Sequence, residues 1–177
     1  MAAELLSPTV ALTRYFVTPD QEQGLPEASD GSARVQRYGF RIGASRFVHD
    51  LSLAVELIEL PRCYDLPNSS AWFSGLVNLR GNLVPVFDLK SLLGVTGPAG
   101  NRQMLLAIGS SERVASLVID GTPDHIAIDA GSRIDQPPNV PEVLQECLVG
   151  AYEYAGETWY QLNYESLFES LAERTAE

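Results

Sequence analysis

Gly75-Leu-Val-Asn-Leu-Arg-Gly-Asn-Leu-Val-Pro-Val-Phe-Asp-Leu-Lys-Ser-Leu-Leu93 decides the fold, because the chain carries the same unit a second time. The second copy is Gly150-Ala-Tyr-Glu-Tyr-Ala-Gly-Glu-Thr-Trp-Tyr-Gln-Leu-Asn-Tyr-Glu-Ser-Leu-Phe168. Gly75 answers Gly150, Gly81 answers Gly156, Ser91 answers Ser166 and Leu92 answers Leu167. Asp88 answers Asn163, and both residue types cap helices well. Each copy reads as strand, tight turn at a glycine, strand, cap and short helix. A repeated unit in a chain of this size predicts two similar lobes. The copies part at Arg80, which faces Ala155 in the alignment. The turn therefore does not itself need an arginine.

Outward from this unit, composition bounds the rest. The 177 residues suffice for one ordinary domain or two small lobes sharing a core. A net charge of −11 argues against nucleic acid, which needs clustered Lys and Arg, and against an anionic membrane surface. No apolar run is long enough to span a bilayer, so no direct membrane insertion is expected. The first residues do not read as a secretory signal. Cys63 and Cys147 are the only cysteines and neither lies in a CxxC. A reduced, cytoplasmic setting is the simplest reading, with a lone disulfide as the alternative.

Residues 1–35 read as a flexible arm, since Pro19 to Ala33 offers few apolar anchors. Residues 36–177 read as the folded domain. Tyr38, Phe40 and Ile42 alternate with Gly39 and Arg41, and Arg46 to Val48 can return after Gly43-Ala44-Ser45 as a hairpin. Val55 to Leu60 is strand-like, and Pro61 and Pro67 bracket a loop. Met104 to Ile108 and Val114 to Ile119 form a second predicted hairpin, so both halves begin alike. Ile126 to Ile128 is a further short strand. Leu167, Phe168 and Leu171 stand at helical spacing near the end. Many short strands with glycine turns predict an all-β pair of barrels with short helices.

Asn78-Leu79-Arg80-Gly81, followed by Pro85-Val86-Phe87-Asp88-Leu89 and Leu93-Gly94, resembles the signature of the CheW family of signalling adaptors. Val55-Glu56-Leu57-Ile58 resembles an upstream strand of that family, and Leu117-Val118-Ile119-Asp120 a downstream one. Thr122-Pro123 departs from the family pattern and predicts a break in the strand there. The resemblance covers about residues 36–172. Tyr38-Gly-Phe-Arg-Ile-Gly43, Ala71-Trp72-Phe73-Ser74-Gly75 and Gly150-Ala-Tyr with Trp159 resemble the pilus-associated PilI branch. The resemblance implies two SH3-like five-stranded β-barrel lobes and no enzymatic activity or cofactor. It implies a scaffold linking the cytoplasmic tip of a methyl-accepting chemoreceptor to the regulatory domain of a CheA-type histidine kinase, in chemotaxis or twitching motility. The partner-binding residues it points to are Val55, Glu56, Leu57, Asn78, Leu79, Arg80 and Gly81.

Arg80 is the sharpest of these, because a turn arginine can fork onto a carboxylate, and Glu56 is its natural partner. The plainer reading is a structural ion pair between the lobes. Gly81 is expected to supply a positive φ. Pro85 inside an apolar strand suggests an edge position or a bulge. His49-Asp50 and Asp124-His125 offer an alternative reading as a small hydrolase or metal-dependent enzyme. The two pairs are expected in different lobes, and neither has metal-ligand spacing, so no metal is expected. No G-x-S-x-G elbow, P-loop or dinucleotide fingerprint is present. An SH3-like module for proline-rich peptides would need an exposed aromatic cluster that the sequence does not show.

Overall fold

The computed structural model describes residues 34–95, 102–110, 113–138 and 140–175. The expected arm falls almost wholly outside them. Its last two residues, Arg34 and Val35, already pair with Asp129 and Ile128 in a ladder. The strands are β1 (Arg34–Ile42), β2 (Ser45–Asp50), β3 (Val55–Glu59), β4 (Phe73–Leu79), β5 (Asn82–Phe87), β6 (Gln103–Ser110), β7 (Arg113–Asp120), β8 (Asp124–Asp129), β9 (Arg133–Ile134), β10 (Leu148–Tyr154) and β11 (Glu157–Leu162). A short helix α1 (Glu142–Gln145) precedes β10, and α2 (Tyr164–Thr175) follows β11.

The strands form two sheets, ordered β8-β1-β2-β11-β10-β9 and β3-β6-β7-β5-β4. The first, here the terminal lobe, takes its strands from both ends of the domain. The second, the central lobe, is continuous in sequence. The lobes are therefore not the two halves of the chain. The β1–β2 hairpin joins the second copy of the repeat through the parallel pair β2–β11. The β6–β7 hairpin joins the first copy through the parallel pair β7–β5.

The repeat is visible in register. Both hairpins, β4–β5 and β10–β11, have two-residue loops, and both carry a bulge just before their first glycine, at Phe73/Gly75 and Leu148/Gly150. The Asp88 N–H donates to the Trp72 carbonyl at 2.8 Å, and the Asn163 N–H donates to the Cys147 carbonyl at 2.8 Å. Asn163 Oδ1 then accepts from the Ser166 N–H and opens α2. Asp88 Oδ1 accepts from the Lys90 N–H, but only a turn follows. The helix expected in the first copy is cut short at Gly94, which takes φ 67°.

Alternation along the strands makes three cores. Val77, Val84, Val86, Leu105 and Val118 fill the central lobe. Val48, Ile126, Ile128 and Tyr152 fill the terminal lobe. A larger cluster, including Phe40, Phe47, Phe87, Leu106, Leu117, Leu162 and Leu167, joins the two sheets. Asp120 ties the joint from the side. It accepts from Lys90 Nζ at 2.7 Å and from the Gly43 N–H at 2.6 Å, with both side chains of the ion pair largely buried.

Pro85 is not on an edge, since β5 lies between β7 and β4. Its partner on β4, Leu76, spends both backbone groups on Tyr64. The missing N–H of Pro85 thus faces β7, whose ladder starts one residue later at Val86, and Ser116 Oγ donates to the Pro85 carbonyl at 2.7 Å. An interior proline is tolerated because no ladder bond is lost.

Candidate partner-binding groove

The β4–β5 loop is two residues long with φ of 53° at Arg80 and 89° at Gly81. Positive φ at both loop positions matches the right-handed twist of the flanking strands. Asn78 Oδ1 accepts from the Gly81 N–H at 2.8 Å and fastens the corner. Arg80 then projects outward, and its Nη2 donates to Glu56 Oε1 at 2.7 Å.

This pair bridges β3 and the β4–β5 loop, which belong to the two opposite edges of one sheet. It is a contact within the central lobe, not a clasp between lobes as the plainer reading expected. The Arg80 side chain is 81% exposed and that of Glu56 44%. Exposed pairs of this kind contribute about 0–1 kcal/mol, because water screens the attraction and two long side chains lose freedom. Stability alone does not account for an arginine in a corner that disfavours side chains.

Val55, Glu56, Leu79 and Arg80 line one groove of about 360 Å³ at the end of the central lobe. Leu57 does not line it; it points from the outer face of β3 and is 37% exposed. Asn78 and Gly81 shape the loop from behind. The far wall comes from β6 and β7, through Ala107, Gly109, Ser110 and Val114, none of which the sequence singled out. Gly109 is the one with a signal. It has φ 116°, and a Cβ there would lie 2.0 Å from the Arg113 carbonyl oxygen.

The paired histidines make no acid–base centre. His49-Asp50 and Asp124-His125 lie in the same lobe, not in different ones, because β8 and β2 flank β1. Tyr38 stands between the rings, 5.2 Å from His49 and 4.2 Å from His125. His49 is buried, its Nδ1 lies 3.0 Å from the Asp50 carbonyl, and burial holds its pKa below the ordinary value. The Asp50 carboxylate is engaged by Arg37 and Gln161 instead of orienting the imidazole. Cys63 and Cys147 are free, and burial pushes both thiols up, away from the reactive thiolate. Among the described residues no three His, Cys, Asp or Glu side chains are grouped to hold a metal. No helix among them is long and apolar enough to cross a membrane.

Fold and surface together define a two-lobed β module with a groove at the end of its central lobe and an exposed ion pair at the groove's mouth. The chain belongs to the CheW family: the model of the CheW-like domain matches residues 37–172. It is 29% identical over 132 residues to Protein PilI of Pseudomonas aeruginosa, covering 73% of each chain. It is 29% identical over 109 residues to a probable chemotaxis protein CheW of Rhizobium etli, covering 60% of this chain and 67% of that one. The crystal structure of the scaffolding protein TtCheW from Thermoanaerobacter tengcongensis superposes with a TM-score of 0.66, at 18% identity, over 82% of this chain and 94% of that chain.

Proposed function

We propose that this chain is a non-catalytic cytoplasmic adaptor that couples a methyl-accepting chemoreceptor to a CheA-type histidine kinase, in pilus-based surface motility. Family membership supports the adaptor role, and the likeness to PilI supports the pilus setting. The observation that carries the reading is the Arg80–Glu56 pair. It sits at the mouth of a groove, adds little stability, and has no counterpart at Ala155 in the other lobe. The groove walls formed by Val55, Glu56, Leu79 and Arg80 take a segment of the receptor tip or of the kinase regulatory domain. Coupling follows if those contacts differ between the receptor's signalling states.

The test measures binding of the full chain to receptor-tip and kinase-domain fragments alongside denaturant melts. Arg80→Ala is expected to weaken one of those contacts by about 2 kcal/mol, as truncating an interface charge does when its partner is left unpaired. Glu56→Ala should act in the same direction, and the double variant should be less than additive. Unchanged binding to both fragments, with a several-kcal/mol loss of stability, would overturn the assignment.

A further inference from the structure

The two lobes can be compared residue by residue, because their ladders share one register. Glu56 faces Ala107 across β3–β6 as Asp124 faces Gly39 across β8–β1. Val77 faces Val84 and Leu79 faces Asn82 in β4–β5, as Tyr152 faces Trp159 and Tyr154 faces Glu157 in β10–β11. Gly109 faces Val114 in β6–β7 as Arg41 faces Arg46 in β1–β2. The end of the central lobe that forms the groove therefore has a counterpart in the terminal lobe. There Trp159 replaces Val84, Tyr154 replaces Leu79 and Gly39 replaces Ala107.

The counterpart is filled from within. The Trp159 ring lies so close over the Gly39 backbone that a Cβ there would stand 2.6 Å from it, and 2.9 Å from the Ile126 side chain. Tyr154 meets the indole edge-on with ring centroids 6.1 Å apart, and Trp159 Nε1 donates to the Tyr154 carbonyl at 3.2 Å. Both rings pack against the terminal core of Val48, Ile126, Ile128 and Tyr152. In the central lobe the smaller Val84 and Leu79 line a groove of about 360 Å³ instead. Ala107 lines it too, and Gly109 brings no side chain into its wall.

The rims differ in charge. Trp159 stands beside Arg46, which pairs with Glu157 at 2.9 Å. The matched positions in the central lobe are the neutral Val114 and Asn82, and the charges at the groove's mouth are Arg80 and Glu56. The Arg80 side chain is 81% exposed and gives Nη2 to Glu56, which leaves further N–H donors of the guanidinium for a second carboxylate. A guanidinium also stacks on aromatic faces.

We propose, resting on the partner-contact role given to this groove above, that it takes one aromatic side chain of the partner protein, with a carboxylate beside it on that partner. The ring fills the space that Trp159 and Tyr154 close in the sister lobe, and it rests on the Ala107 methyl. An indole matches best, because the Leu79 carbonyl stands at the position from which the Tyr154 carbonyl accepts the Trp159 N–H. The carboxylate accepts from Arg80, so the groove selects shape and Arg80 selects charge.

The test titrates the full chain with three small probes, N-acetyl-Asp-Trp-amide, N-acetyl-Asp-Leu-amide and N-acetyl-Lys-Trp-amide, and follows backbone amide resonances. The Asp-Trp probe is expected to shift Leu79, Arg80, Ala107 and Gly109 saturably, with a Kd severalfold below those of the other two. No saturable shift, shifts elsewhere, or equal responses to the three probes would overturn the proposal. A second chain, Val84→Trp with Ala107→Gly, copies the terminal lobe's plug into the groove and should lose the probe response. If it folds and still binds the probe there, the proposed position of the ring is wrong. If it does not fold, the wild-type titrations decide alone. The same chain separates this proposal from the role it rests on. Loss of the probe with both receptor-tip and kinase-domain fragments still bound leaves the aromatic preference standing and removes the groove's part in coupling. Loss of a fragment where the wild-type chain does not discriminate between the probes does the reverse.

Discussion

Arg80 and Ala155 occupy the same left-handed corner of the two repeated hairpins, with φ of 53° and 54°. Each is followed by a glycine, Gly81 at 89° and Gly156 at 76°. An L side chain in this region crowds its own carbonyl at a cost of about 1–2 kcal/mol, so both loops carry the same local strain. The strain buys nothing visible at Ala155, and at Arg80 it aims a guanidinium over the groove.

Ala155→Gly should therefore stabilise the protein by about 1 kcal/mol, because glycine enters this corner freely. Arg80→Ala leaves the backbone conformation of Ala155 in place and removes only an exposed ion pair, so its cost should stay below about 1 kcal/mol. Urea melts of both variants check this. A loss of stability for Ala155→Gly would mean that the corner is held by something other than the local backbone.

The repeat and its hairpins were legible because their signals are local: alternation, a glycine corner and a cap within a few residues. The assignment of hairpins to lobes was not. Which strand lies beside β2 is decided by a ladder to β11, more than a hundred positions away, and no signal within a few residues of either strand announces it. Pro85 misled for a related reason, since only the turn of Leu76 toward Tyr64 shows that no ladder bond is missing. In the groove, Arg80 and Glu56 were readable because charges in a turn and a strand call for partners. Ala107, Ser110 and Val114 carry no chemistry that would announce a wall.

Gly75 and Gly150 are equivalent in sequence but not in need. Gly75 has φ 102°, and a Cβ there would lie 2.3 Å from the Tyr64 carbonyl oxygen, a backbone atom held by its bridge to Leu76. At Gly150 the nearest atoms are those of the Arg133 guanidinium, at 3.5 Å. Gly75→Ala should cost more than about 3 kcal/mol or prevent folding, whereas Gly150→Ala should fall within about 1 kcal/mol of wild type. Thermal melts of the two variants decide it, and equal effects would contradict the asymmetry.

His49 should make stability fall in mild acid. It is buried beneath Tyr38 and Phe40, its Nε2 has no partner, and desolvation lowers its pKa below the unfolded value of 6.5. Asp50 is the nearby charge opposing this, through its backbone hydrogen bond and its field. Above pH 6.5 the imidazole is neutral in both states and nothing is lost. As pH drops below 6.5 the unfolded chain takes up a proton that the native state refuses, so the stability declines until the lowered native pKa is reached. The slope approaches about 1.4 kcal/mol per pH unit for one proton. Laid on the β6–β7 hairpin by register, the Tyr38–His49 pair of β1–β2 falls on Leu106–Leu117, and Leu117, a buried core residue, names the control. In His49→Leu the Asp50 carbonyl still accepts from the Leu53 N–H at 3.1 Å, so no backbone acceptor is stranded. The variant should lie within about 1 kcal/mol of wild type at pH 7.5 and gain on it steadily toward pH 5.5. Denaturant melts across that range, taken as the difference between the two proteins, remove the contribution of the carboxylates. A difference that does not change with pH would show that His49 takes up its proton as readily in the folded protein as in the unfolded chain.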